Sequence, residues 1–493
     1  MRRIAWLAAL LGCGLLFCAV VMLERARAGL EIRPLVIGQT PATLYQQPMA
    51  QGPAIIIAPG FAGTRPLMQS YALSFAQAGY RVVSFEFQGH GQNPVPLSGD
   101  LSREDGVTRL LVTELAAVVD HALNLEGVDG RVMLLGHSMG TKVVVREAVA
   151  DPRVDGVIAV SVVSEAITAS APEALLMMNG GLEAVLRAEA ARIMALGGGV
   201  EGDTLESPLR RAVSIPLADH IGVLYAREAL KEALHWADRV FEMERQAPDI
   251  GRPGTWVLMA LAGLGLLGYG GARALPLAGG TLARTRAVPG PQAAVVVGVA
   301  SGVSVVGTLL LSRWSASVLG LQVVEPLAML AALWAAVVLG ILWVLGHRSA
   351  GRARVWIALA FALFAIGLCG VVLHRYVTGF WPGAARWGVL AVLALGFVPA
   401  MSADAALRAG GGWRRMVMVR AGVLGALAAT AALDFERLGL LLIPAVLMLA
   451  YFVTFGAMAG WASRQSGAWR SIGAASGLTL AWMLSAMMPL FAL

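Results

Sequence analysis

The chain has 493 residues, of which 57% are hydrophobic and only 14% charged, with a formal net charge of +7. Ordinary soluble domains carry about 25% charged residues, so this composition excludes a wholly soluble chain and a disordered one. The charge is uneven: residues 24–253 hold 20 basic and 27 acidic side chains, a net of −7, and the rest of the chain holds 18 and 4. The basic balance belongs to the apolar part. With only two lysines, Lys142 and Lys231, the chain has no Lys-rich tail, and no nucleic-acid partner is expected.

The N-terminus reads Met1-Arg2-Arg3 and then runs apolar from Ile4 to Leu23. About 20 helical residues span roughly 30 Å, the thickness of a bilayer's hydrocarbon core. A cleaved signal peptide ending at Ala26-Arg27-Ala28 and a lipobox at Leu10-Leu11-Gly12-Cys13 are the competing readings. The run is longer than a signal peptide's apolar core and continues ten residues past Cys13, which favours an uncleaved anchor over 1–28.

Residues 29–250 alternate strand-like and helix-like stretches. Ala54–Ala58 reads as a buried strand, Thr64–Ala78 as a helix stopped by Gly79, and Arg81–Phe87 as a strand. Arg103–Leu125 follows as a long helix and Arg131–Leu135 as a strand. After Gly136-His137-Ser138-Met139-Gly140 come a helix and a strand at Val157–Val163. Strict alternation predicts an α/β domain, a mostly parallel sheet with helices on both faces. This stretch contains no cysteine, so it needs neither a disulfide nor a metal thiolate; no metal or organic cofactor is expected.

Gly136–Gly140 is a G-x-S-x-G between a strand and a helix. There a sharp turn lifts a serine above the sheet, and flanking glycines let the chains pass closely. Serine needs a base, and the expected chain order is Ser, acid, His. His220 follows the apolar stretch Val213–Asp219 at a strand end, whereas His235 lies within the next helix. Glu183, in the loop after the strand Pro172–Met178, is the first candidate acid; Glu165 and Asp203 are the alternatives. Oxyanion donors are expected at the N–H of Met139 and, in the loop Pro59–Gly63, at that of Phe61.

Together these residues resemble the α/β-hydrolase superfamily, in its lipase, esterase and lysophospholipase-like branch, over about 29–245. The resemblance rests on Pro59–Gly63, Gly79–Gly91, Gly136–Gly140 and Asp219-His220. Relatives usually carry HG at Pro59-Gly60 and Asp in place of Glu86 and Glu183. The resemblance implies a Ser–acid–His hydrolase that cleaves an ester, thioester or amide through an acyl-enzyme. Ser164–Pro172 leaves room for only a short loop where many relatives insert a lid. Met68 and Leu182 are expected to line an apolar acyl pocket; Met177 and Met178, within a strand, are expected in the core.

After Pro253 come eight apolar runs, near 255–271, 291–311, 326–346, 355–373, 387–402, 417–433, 438–462 and 472–491. With the first they make nine spans and an all-α membrane domain over 251–493. If Arg2 and Arg3 are cytoplasmic, the inside loops carry Arg273, Arg284, Arg286, Arg348, Arg352, Arg354, Arg408, Arg414, Arg415, Arg420, Arg464 and Arg470. The outside loops then carry only Arg313, Arg375, Arg386 and Arg437. Retention of basic loops in the cytoplasm predicts an inner-membrane protein with its 29–250 domain periplasmic or extracellular. Asp404, Asp434, Glu436, His347 and His374 are expected at span ends or in loops, which argues against an ion-coupled pump. The pairs Gly298/Gly302, Gly456/Gly460 and Gly473/Gly477 are expected to pack helices closely. The leading expectation is a membrane-anchored serine hydrolase of a lipid-like or acyl substrate, in contact with membrane lipid. An acyltransferase on the same triad, and a non-catalytic transport or scaffold protein, are the alternatives.

Overall fold

The computed structural model describes residues 2–99, 104–244, 250–277, 288–314, 317–347 and 354–493. Arg103, Arg284, Arg286, Arg348 and Arg352, named above, lie outside the described residues. The chain divides into two compact units: Cys18–Met259 with Arg375–Gly379, and Met1–Phe17 with Ala260–His374 and Phe380–Leu493.

The first of these holds nine strands: β1 (Glu31–Ile37), β2 (Thr40–Gln46), β3 (Gly52–Ala58), β4 (Arg81–Phe85), β5 (Val128–His137), β6 (Val154–Val160), β7 (Ala174–Gly180), β8 (Thr204–Glu206) and β9 (Leu209–Ile215). They form one sheet in the order β1-β2-β4-β3-β5-β6-β7-β9-β8. From β4 to β9 every pairing is parallel, and β1–β2, β2–β4 and β8–β9 are antiparallel. The helices are α1 (Arg2–Arg25, of which the last residues belong here), α2 (Arg65–Gln77), α3 (Arg109–Leu123), α4 (Met139–Ala150), α5 (Ala184–Ala195) and α6 (Arg227–Val240). The central strands are buried on both sides, as in Ile55, Ile56, Ile57, Leu134, Leu135, Ile158 and Leu176, all fully inaccessible. That is why they read as apolar runs instead of alternating patterns.

The helix expected from Arg103 begins at Arg109, preceded by a wider π-type turn over Glu104–Thr108. The 36 residues between Glu183 and His220 contain α5 and the β8–β9 hairpin. The segment Arg375–Gly379, remote in sequence, packs into this unit through its backbone. Gln69 donates to the Arg375 carbonyl at 2.9 Å, Tyr225 to that of Val377 at 3.0 Å, and the Gly379 N–H donates to Thr64 Oγ1 at 2.8 Å.

The second unit is helical. Among the described residues of the whole chain, eight helices are long and apolar enough to cross a membrane: Arg3–Arg25, Pro253–Ala274, Gly290–Leu311, Val324–Val344, Val355–Tyr376, Ala384–Arg408, Trp413–Leu433 and Phe435–Val453. Two of the nine expected spans differ. The run 438–462 breaks at Thr454 (φ −95°, ψ −90°) into Leu442–Val453 and Phe455–Ser466. The last run is the helix Trp469–Met487, whose serines, threonine and glycines lower its hydropathy and which is mostly buried by protein. Gly473 and Gly477 in it do serve close packing: a Cβ there would stand 2.9 Å from Met401 O and 2.3 Å from Phe397 O. Gly298 and Gly302 face open space instead.

Asp404 falls in the last turn of its helix, Trp387–Arg408, at a span end, but is buried there. It is 3% exposed and pairs with Arg408 one turn on (Nε to Oδ2, 2.7 Å). The pair lets the helix run past the apolar stretch that ends at 402. Asp434 stands between helices and Glu436 in a short one-turn helix.

Candidate functional site

The site forms at the carboxyl ends of the parallel strands. β5 ends in His137 and α4 starts at Met139, so Ser138 occupies the turn between them, with φ 51° and ψ −119°. A non-glycine residue held at positive φ is strained, and the surrounding structure must impose it. Glycines permit the turn. A Cβ at Gly136 would stand 2.6 Å from Gly140 O, and one at Gly140 would stand 2.7 Å from Pro59 O. The Ser138 N–H bonds Val160 O of β6 at 2.9 Å, and its carbonyl accepts the Thr141 N–H at 2.8 Å.

His220 lies in the loop after β9. Asp219 Oδ1 accepts the N–H groups of Ile221 (3.1 Å) and Gly222 (2.6 Å), which folds this loop back on itself. Its neighbour is the loop after β7. Gly181 N–H bonds Ile215 O at 2.7 Å and Leu182 N–H bonds Ala218 O at 3.0 Å. A Cβ at Gly180 would stand 2.5 Å from Ala218 O, so only glycine allows the two loops to meet here. The result is a continuous chain of contacts: Ser138 Oγ to His220 Nε2, 3.1 Å, and His220 Nδ1 to Glu183 Oε1, 2.5 Å.

Glu183 is held from its other side. Its Oε2 accepts the Gly180 N–H at 2.5 Å and the Ser161 hydroxyl at 2.9 Å. Burial pushes its pKa up, but the hydrogen bonds from His220, Gly180 and Ser161 outweigh that and leave it below the ordinary carboxylate value. Its side chain is 6% exposed and that of His220 43%. The alternatives stand elsewhere: Glu165 is exposed in the loop after β6, Asp203 accepts the Val200 N–H, and His235 is exposed on α6.

The Pro59–Gly63 loop lies against the serine. A Cβ at Gly60 would stand 3.1 Å from Ser138 Cβ and 3.0 Å from His137 O. Phe61 in this loop is 42% exposed and meets His90 edge to face. Met139 is the first residue of α4, where backbone N–H groups have no partner within the helix. Glu86, 1% exposed, joins the neighbouring loops by accepting the N–H groups of Arg65 (3.1 Å) and Gln92 (2.9 Å). Thr64, which ends the Pro59–Gly63 loop, receives the Gly379 N–H.

Met68 is not on this surface. It is fully buried on α2 within the core cluster that includes Ile57, Tyr71 and Leu135, because its helix face packs on the sheet. Leu182, beside Glu183, is 67% exposed. Met177 and Met178 are fully buried in β7. The loop after β6 holds neither helix nor strand up to Ala174. Among the described residues no group of His, Cys, Asp and Glu is arranged to hold a metal ion.

Three participants were not anticipated from the sequence: Ser161, the Gly180 N–H and His137. Ser161 follows β6 directly, at φ 56°, the strand-end position from which α/β sheets present functional groups. His137 is 3% exposed; its Nε2 meets His220 O at 3.0 Å, and the two rings lie 4.7 Å apart. Burial, and then the neighbouring His220, lower its pKa to about 4. Near neutral pH it is therefore uncharged and puts no fixed positive charge beside His220.

Residues 51–190 match the serine aminopeptidase (S33) family of hydrolases. No curated protein matches the chain. Among solved structures it is similar to an epoxide hydrolase from Vigna radiata, 21% identical, covering 27% of this chain and 39% of that one, with a TM-score of 0.23. The chain thus spans about two-fifths of that enzyme's length. It is also similar to a hypothetical protein from Pseudomonas aeruginosa, 12% identical over 43% of this chain and 93% of that one, with a TM-score of 0.34. A proline iminopeptidase-related protein of Thermus thermophilus is 16% identical over 43% of this chain and 98% of that one, with a TM-score of 0.30. The family match over 51–190, the G-x-S-x-G turn at the end of β5 and the mostly parallel sheet with helices around it give this part of the chain an α/β-hydrolase fold.

Proposed function

We propose that the protein is a membrane-anchored serine hydrolase that cleaves an acyl bond in a lipid-like ester, thioester or amide. The observation that carries this is the unbroken relay Ser138–His220–Glu183. His220 donates Nδ1–H to Glu183, which leaves the Nε2 lone pair facing the serine hydroxyl. As Ser138 Oγ attacks the substrate carbonyl carbon, Nε2 takes its proton. Glu183 stabilises the imidazolium, and the N–H groups of Met139 and Phe61 receive the oxyanion. The proton passes to the leaving group as the acyl bond breaks. Water, or an acceptor alcohol or amine in an acyl transfer, then releases the acyl group by the same steps reversed.

Leu182 forms the apolar rim for the acyl chain. The N-terminus is cytoplasmic, the hydrolase domain lies outside the inner membrane, and with nine spans the C-terminus is outside as well. The bias of 12 arginines on the inside, in loops and in the helix turns beside them, against 4 on the outside supports this orientation. The intact relay argues against a retired, non-catalytic domain.

The test is labelling of intact spheroplasts by an impermeant fluorophosphonate, with wild type beside Ser138→Ala and His220→Ala. Labelling is expected in wild type, absent in Ser138→Ala and strongly reduced in His220→Ala. No labelling of folded protein, even after lysis, overturns the hydrolase reading; labelling only after lysis overturns the orientation. Turnover confined to short, water-soluble esters refutes the lipid-like substrate.

A further inference from the structure

The helical unit brings the guanidinium groups of Arg408, Arg420 and Arg464 near one another. Arg408 is 5% exposed and Arg420 7% exposed. Arg408 pairs with Asp404, while Arg420 donates to the carbonyls of Phe452 (2.8 Å), beside the break at Thr454, and of Gly456 (3.0 Å), and lies 4.8 Å over the Phe452 ring. Arg464 comes in beside them: a Cβ at Gly460 would stand 3.4 Å from Arg464 Nη1 and 3.9 Å from Arg408 Nη1. A Cβ at Gly456 would stand 2.8 Å from Arg420 Nη2. Gly456 thus leaves room for the Arg420 guanidinium against the helix Phe455–Ser466, and Gly460 lies in ordinary contact distance of the other two.

Arg408 is paired with Asp404, whereas Arg464, at an exposed position, has no carboxylate partner among the described residues. A guanidinium without a carboxylate partner favours an anion beside it. Beside them is a cavity of about 370 Å³, lined by Arg408, Arg464, Trp413, Trp461 and Trp469 among others. The Arg408 guanidinium lies 6.0 Å over the Trp469 ring.

We propose that this cavity binds a phosphate-type oxyanion. Its oxygens would bridge Arg408 and Arg464, whose planar forks match such a group, and the three indoles would contact the apolar stem that carries it. The polytopic half would then be a binding module as well as an anchor. The inference does not depend on the chemistry at Ser138.

The test uses the purified full chain in neutral detergent. Unfolding midpoints and native mass spectra are recorded with phosphatidylglycerol, with phosphatidylcholine and with inorganic phosphate. A saturable rise in midpoint with phosphatidylglycerol over phosphatidylcholine, and none with phosphate, assigns a lipid headgroup. A rise with phosphate as well assigns a soluble anion. Arg464→Gln, at an exposed position, should weaken binding about fivefold, the effect of one basic residue on an anionic lipid. Gly460→Leu should fill the cavity and abolish binding with all charges kept. Equal shifts with both lipids, or unchanged phosphatidylglycerol affinity in both variants, overturn the proposal.

Discussion

Replacing Glu183 by Gln tests the relay at the point where geometry and electrostatics are most closely joined. Glu183 Oε2 accepts two donors, the Gly180 N–H at 2.5 Å and the Ser161 hydroxyl, and Oε1 accepts His220 Nδ1–H. A glutamine has one acceptor oxygen. The Gly180 N–H cannot turn away, so that oxygen must stay beside it and the NH₂ faces His220. Nδ1 then has to accept, the ring proton moves to Nε2, and a donor points at Ser138 where a lone pair is needed. The variant loses both the charge that stabilises the imidazolium and the productive tautomer. In a serine protease the equivalent change costs about 10⁴ in kcat, or about 5 kcal/mol of barrier. A loss of about 10³- to 10⁴-fold in kcat/KM is expected here for ester hydrolysis by detergent-purified protein, with a parallel fall in fluorophosphonate labelling rate. The Gly180 contact survives, so the unfolding midpoint should stay within about 2 °C. Activity within about tenfold of wild type, with the midpoint unchanged, would refute the assigned acid.

His137 gives the chain an acid sensitivity. Its folded pKa of about 4 lies below the ordinary 6.5, so the unfolded chain takes up the proton first as pH falls. Stability is complete above about 6.5 and lost on the way down through 4, by about 3 kcal/mol in total. Unfolding midpoints from about pH 7.5 to 4.5 should fall, and His137→Asn should flatten the upper part of that curve; parallel curves would contradict it. Met68→Ala should destabilise the domain by about 2–5 kcal/mol through a core cavity, whereas Leu182→Ala should leave stability within about 0.5 kcal/mol and change KM for long-chain esters. Chemical denaturation and chain-length profiles separate the two. Thr64→Val removes the acceptor of the Gly379 N–H, which should cost about 1–3 kcal/mol and slow labelling of Ser138, with recovery in Thr64→Ser. An unaltered labelling rate in Thr64→Val would exclude a positioning role for that contact.

Much of the site was legible because its chemistry is written in local sequence. The strand before Gly136 and the helix after Gly140 identify the turn, and the order Ser, Glu, His follows the order of strand ends. The double-sided burial of β3, β5, β6 and β7 made these strands visible as apolar runs. β1 and β2 were not visible: β1 is the edge strand, largely exposed, and contains Pro34, and β2 beside it starts with Thr40-Pro41, so neither shows a clear apolar pattern. Met68 shows the limit of proximity in sequence. It follows the Pro59–Gly63 loop closely, but one turn of helix carries its side chain under the sheet face. Ser161 and the Gly180 N–H escaped because their contribution depends on which strand ends are neighbours in space. His137 escaped because its partner is a backbone carbonyl more than 80 residues away.

The five residues Arg375–Gly379 separate two meanings of the word domain. As a stretch of sequence the α/β unit ends at Met259; as a packed body it is completed by a segment that arrives more than a hundred residues later. A gene fragment cut at the apparent boundary would encode α2 with Gln69 and Thr64 facing water where they now hold peptide groups. Exchange of the α/β unit for that of a soluble relative would leave the returning segment without its seat. The two halves are therefore expected to be inherited as one piece, with insertions not tolerated between Arg375 and Gly379.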